Sequence, residues 1–150
     1  MTDFDDFHNR IPKRLIAATF AASLLFDLIP FPAALSFWLP EMTALSLLYW
    51  GLNRPQSVGL FTAFACGLFL DTGIALPLGQ HALAYVLMVF FIQKYQRRII
   101  LQSYAFQAVA VFIALTGSQL TLLIIRLISE HRLIGLSGLL APVVGALAWP

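Results

Sequence analysis

The chain has 150 residues, 60% of them hydrophobic and 11% charged, with a mean hydropathy of +0.85 and a formal net charge of +2. A soluble domain carries about 25% charged residues, so this composition excludes a chain that solvates its own surface and points to an integral membrane protein. At about 20 apolar residues per span there is room for five or six spans and none for a separate soluble domain, while the one cysteine, Cys66, excludes an internal disulfide and reads as a small packing residue.

Residues 1–13 read as a short cytoplasmic tail, acidic at Asp3, Asp5 and Asp6. Arg10, Lys13 and Arg14 precede an apolar run, as in a signal peptide. No convincing small-residue cleavage site follows and more apolar runs come soon after, so the pattern predicts an uncleaved first span over about 15–30. Asp27, near its far end, is expected to face headgroups or to accept a hydrogen bond from a neighbouring helix. Pro30, Pro32 and Pro40 break the helix, because proline lacks an N–H and clashes with the preceding turn. Phe31, Phe37 and Trp38 fit an interfacial aromatic belt.

The second span is expected over about 40–52, opening on Pro40-Glu41, a sound helix start with the acid near the positive end of the macrodipole. Tyr49 and Trp50 mark its opposite interface, and Asn53 to Gln56 form a polar turn. The third span is expected over about 57–75. Gly59, Ala63 and Gly67 recur every four residues and Asp71 continues the series, so one helix face carries a small-residue packing stripe that ends in a carboxylate.

The fourth span, over about 78–93, holds Gln80 and His81 in its first turn, within reach of Asp71 across the connection. Two readings of Asp71, Gln80 and His81 stand together: an interfacial helix cap, and a hairpin that docks a partner or ligand. Lys94, Arg97 and Arg98 form a basic loop, read either as a topological anchor or as a cytoplasmic contact surface. The fifth span is expected over about 100–128, with Gln102, Gln107, Thr116, Ser118, Gln119 and Thr121 as interhelical hydrogen-bonding groups and Arg126 snorkelling to the interface. Ser129 to Arg132 is a polar loop, and the sixth span covers about 133–150 with Gly135, Gly138, Gly145 and a kinking Pro142. The expected fold is therefore an all-α membrane protein, a six-helix transmembrane bundle in one domain.

Topology follows from the basic residues. A cytoplasmic N-terminus puts Arg10, Lys13, Arg14, Arg54, Lys94, Arg97 and Arg98 inside, and leaves Arg126 and Arg132 outside. The Asp71–His81 connection then faces outward. The chain has no glycine-rich phosphate loop, no Ser/His/Asp constellation and no metal-ligand spacing. Its acids cluster near the interfaces and do not run through the span centres as a proton relay would. No catalysis, cofactor, metal or nucleic-acid partner is expected.

Several short motifs, in order, resemble the MreD family of bacterial rod shape-determining membrane proteins. They are Pro40-Glu41, Leu48-Tyr49-Trp50, the Gly67-x-x-x-Asp71 pattern, Leu78-Gly79, the basic Lys94 to Arg98 segment, and Gln107-Ala108 in the next span. Asp27 is an extra acid relative to that pattern, and the chain ends at Trp149-Pro150 inside an apolar run where a basic tail is expected. The resemblance implies a bundle similar to the substrate-binding subunit of energy-coupling-factor vitamin transporters. It also implies a non-enzymatic scaffold in the bacterial inner membrane, working with the bitopic partner MreC and, indirectly, with the MreB filament, RodA and its transpeptidase partner. The alternative is a small-molecule or lipid-binding subunit of the vitamin-transporter type, using the same bundle with a polar pocket opening outward.

Overall fold

The computed structural model describes residues 12–36, 38–130 and 140–149. Most of the N-terminal tail, Phe37, His131, Arg132 and the first part of the expected sixth span, 133–139, lie outside the described residues. The described residues form helices and connections, with no strand among them. In chain order the helices are α1 (Lys13–Asp27), α2 (Ala33–Ser36), α3 (Met42–Asn53), α4 (Leu60–Gly73), α5 (Gln80–Ile100), α6 (Tyr104–Glu130) and α7 (Ala141–Leu147).

The prolines account for the early breaks. Pro12 sits in extended backbone just before α1. The single turn α2 follows Pro32, whose carbonyl accepts from the Leu35 and Ser36 N–H groups at 2.9 and 3.0 Å. Pro40 and Glu41 then lead into α3. Gly79 is left-handed, with φ +100°, a conformation glycine reaches without the Cβ clash. It turns the chain from the α4–α5 connection into α5.

Long helix α5 is the hub. It packs along α4, α6 and α3, while α1 lies on α3 and α4, and α7 on α6. The core is apolar and continuous: Ala44, Leu47 and Leu48 of α3, Leu70 of α4, Tyr85, Val89 and Ile92 of α5, and Val111 of α6 are buried. A Cβ on Gly67 would overlap the Ala82 backbone, so this glycine sets how closely α4 approaches α5. On the outside the helices carry large exposed apolar side chains, among them Phe61, Phe64 and Phe69 of α4, Leu87 and Phe90 of α5, and Val109, Ile113 and Ile124 of α6. So broad an apolar exterior suits lipid and would not be stable in water.

Helix lengths differ from the expected spans. Among the described residues, one helix segment, Tyr104–Ser129, is both long and apolar enough to cross a membrane alone. Helices α1, α3 and α4 have 15, 12 and 14 residues. At 1.5 Å per residue they reach roughly 18–23 Å, short of a hydrocarbon core about 30 Å thick.

The expected basic loop is corrected too. Lys94, Arg97 and Arg98 lie in α5, and the break comes later, at Leu101 to Ser103. The polar run 94–98 has good helix formers, and Arg97 and Arg98 in the last turn suit the negative end of the macrodipole. Gln96 holds this end in place by donating to the Leu52 carbonyl at 2.7 Å, and Gln93 donates to the Val58 carbonyl at 2.8 Å.

Candidate functional site

The ionisable residues divide between the two ends of the helices. Antiparallel α1 and α3 are stitched by the Ser23 and Ser46 hydroxyls at 2.6 Å, so Lys13 and Arg14 lie toward the same end as Asn53 and Arg54. The Gln96–Leu52 bond brings the C-terminal turns of α5, with Lys94, Arg97 and Arg98, to that end as well. The other end collects Asp27, Glu41, Asp71 and His81, and α6 carries Arg126 beyond Gln119 toward it. We call these the basic end and the acid end.

Each carboxylate at the acid end joins helices. Asp27, the last residue of α1, accepts from the Met42 and Thr43 backbone N–H groups at 2.9 and 2.8 Å. It caps α3 from outside and satisfies two of its orphan donors. Glu41 precedes α3 and would be the ordinary capping residue, but its side chain makes no cap bond. Released from that role, it accepts from the Tyr85 hydroxyl at 2.7 Å and from the Gln119 amide at 3.0 Å, linking α3 to α5 and α6.

Asp71, in the last turn of α4, is fully buried. It accepts from the Gly79 N–H at 2.9 Å and from the His81 N–H at 3.2 Å to both oxygens. The His81 ring adds a bond from Nδ1 to Oδ1 at 2.7 Å. A carboxylate accepts only, so Nδ1 carries the proton here. Nε2 then faces the Glu41 carboxylate at 3.9 Å, too far for a hydrogen bond. The Tyr85 ring stands edge-on to the imidazole with centroids 5.8 Å apart.

A partly open cavity of about 170 Å³ lies against this cluster, with Asp27, Glu41 and His81 among its lining residues. Exposed Ile29 and Ile74 stand beside it. Among the described residues, no group of three or more His, Cys, Asp or Glu side chains could hold a metal ion.

Of the residues singled out in the sequence, Asp71 and His81 are brought together and Gln80 lies beside them. The Gln80 amide is buried without a hydrogen-bond partner and takes no part in the Asp71 bonds. All three are buried; Asp71 and His81 tie the hairpin together, and His81 also lines the cavity. Within the stripe, Ala63 and Gly67 are buried, but Gly59 is not part of it. Gly59 precedes α4 in extended backbone with open space around it, because the helix starts one residue later than its spacing implied.

The expected interhelical bonds of α6 are mostly corrected. Thr116, Ser118 and Thr121 donate to carbonyls of their own helix at 2.8 Å each, since a short hydroxyl side chain finds those acceptors first. Gln119, with a longer amide arm, reaches across to Glu41. Gln102 and Gln107 have no side-chain hydrogen bond to another helix among the described residues.

Sequence reasoning missed two members of the cluster. Tyr85 lay inside an apolar run, with its position four residues after His81, on the same helix face, as the available signal. Glu41 was read as a local helix-start residue, and nothing nearby in sequence signals its partners.

A model of the rod shape-determining protein MreD family matches residues 9–140. The rod shape-determining protein MreD of Haemophilus influenzae is 25% identical over 135 residues, covering 90% of this chain and 83% of that protein. No solved structure matches. With an apolar helical exterior and a family match over nearly its whole length, the chain belongs to the MreD family of membrane proteins, which take part in determining rod shape.

Proposed function

We propose that the chain is a non-enzymatic scaffold of the bacterial cell-wall elongation machinery. In this reading it is a six-helix bundle crossing the inner membrane, similar to the substrate-binding subunit of energy-coupling-factor transporters. Its N-terminus and basic end face the cytoplasm, its acid end faces outward, and it docks an MreC-like single-span protein. Contact with the MreB filament, RodA and its transpeptidase partner is indirect.

One observation carries the reading. Asp27, Glu41 and Asp71 all bond to a different helix from the one they sit on or precede. Groups used this way stiffen a framework. A nucleophile with its base, or an acid–base pair flanking a reactive centre, would be arranged around a substrate position instead. The gathering of Lys13, Arg14, Arg54, Lys94, Arg97 and Arg98 toward one end supports the orientation, because cytoplasmic flanks carry excess basic residues. The short helices α1, α3 and α4 fit a bundle that thins the bilayer locally.

The test is a mild-detergent pull-down of the tagged chain from its native membranes, with co-purifying proteins identified. Recovery of a single-span MreC-like protein together with cell-wall synthases is the expected result. Recovery of ATPase subunits, or of a bound small molecule with no protein partner, would replace the scaffold with the vitamin-transporter-type binder.

A further inference from the structure

We propose that the cavity at the acid end is a socket for one basic side chain, an arginine or a lysine, supplied by the docked partner. The inference rests on the docking reading above and names the chemistry of the contact.

Charge is the first argument. Asp27, Glu41 and Asp71 gather at this end, and among the described residues no lysine or arginine forms an ion pair with any of them. Two candidate cations lie toward this end among the described residues: His81, already hydrogen-bonded to Asp71, and Arg126 of α6, which forms no ion pair with these carboxylates. Partly buried carboxylates facing an apolar wall are stabilised by a counter-charge, and leaving them unpaired is costly.

Acceptor capacity is the second. A carboxylate offers about four lone-pair positions. Asp27 uses two for the α3 cap, and Glu41 uses two for Tyr85 and Gln119. Both keep acceptor positions and both line the cavity. The His81 side chain, 5% exposed, lines it too, with Nε2 in no hydrogen bond and 3.9 Å from Glu41. A multi-donor head entering here would bond the carboxylates and complete the gap.

Shape is the third. Phe26, Leu39 and Leu70 supply apolar walls beside the acids. An aliphatic stem ending in a charged head matches that division, as lysine and arginine do when they lay their methylenes on apolar surface. The cavity volume of about 170 Å³ is below the roughly 300–1,000 Å³ of pockets that enclose a drug-sized ligand. That favours a single side chain over a vitamin.

The experiment measures how much single-span partner the full chain retains on purification from membranes. It compares the natural chain, Glu41→Gln and Ile74→Trp, with n-butylguanidinium chloride or an equal concentration of sodium chloride in the buffer. Glu41→Gln removes charge, whereas Ile74→Trp narrows the cavity and leaves every hydrogen bond of the acid end in place. Glu41→Gln should cut retention about 30-fold or more, the scale for deleting one member of a buried charge pair. Ile74→Trp should cut it at least about tenfold by excluding the incoming side chain, and butylguanidinium should displace partner from the natural chain. If Glu41→Gln fails to fold, the monodisperse Ile74→Trp chain decides. Should the natural chain hold its partner while Ile74→Trp and butylguanidinium change nothing, the socket is wrong and docking occurs elsewhere. If butylguanidinium raises the chain's melting temperature without displacing partner, the cavity takes a free cation and the socket is again overturned. A natural chain that retains no partner removes the docking reading itself.

Discussion

Asp27 and Asp71 use one device in two settings. Each ends or nearly ends a helix, and each caps the N-terminus of another helix with its carboxylate. Asp27 is partly exposed and holds two backbone donors. Asp71 is fully buried and holds two backbone donors and an imidazole. The first cap lies beside the open cavity and keeps acceptor capacity for an incoming group. The second is closed and fixes the α4–α5 hairpin. The difference teaches that the role of a carboxylate at a helix end depends on how many donors surround it and on whether it stays open to a cavity.

The strongest way to break this comparison is Asp71→Leu. It strands the His81 ring and two backbone N–H groups in a buried site, and should cost about 3–5 kcal/mol, the scale for removing one partner from a buried polar pair. Unfolding of the purified chain in detergent measures it; a loss no larger than that of the Asp27 variant would show that burial does not separate the two caps. Gly67→Ala comes next. Its methyl group meets the Ala82 backbone, which cannot swing aside like a side chain, so α4 and α5 must separate at a cost of about 1–3 kcal/mol.

Asp27→Ala removes a cap from the half-buried Met42 and the buried Thr43 but strands no side chain, and should cost about 1–2 kcal/mol in the same assay. In the pull-down, Asp71→Asn is expected to weaken partner docking more than Asp27→Asn through loss of hairpin geometry. Equal retention by both variants would remove the hairpin from the docking model. Gly59→Ala is the smallest change, expected within about 0.5 kcal/mol because open space surrounds the position. A large loss there would restore Gly59 to the packing stripe.

Much of the α4–α5 hairpin was legible because its partners are close in sequence. Asp71 and His81 are ten residues apart across a Gly/Pro connection, and a polar residue at each edge of an apolar run invites pairing. The packing role of Gly67 followed from four-residue spacing, which maps onto one helix face. The same reasoning failed at the edges. Gly59 fell just outside the helix, and Lys94 to Arg98 read as a loop because charge was weighed over helix propensity.

The long-range half of the acid end was not legible. Glu41 meets Tyr85 and Gln119 at separations of 44 and 78 residues. No periodicity along one segment encodes such a meeting, which follows from the order in which α3, α5 and α6 pack. Nor could spacing reveal that Asp27 would take over the α3 cap and release the Glu41 side chain.

By itself, then, the sequence determined the membrane-seeking composition, the helical class, the family, and a hairpin that brings Asp71 within reach of Gln80 and His81, because apolar content, periodicity and short loops are local properties. The structure chose His81 as the partner. Tertiary structure alone decided which helices meet, that Glu41 bridges three of them, and that a cavity opens between Asp27, Glu41 and His81. Those outcomes depend on side chains far apart in the chain packing against the shared surface of α5, and burial and hydrogen-bond satisfaction are decided only there.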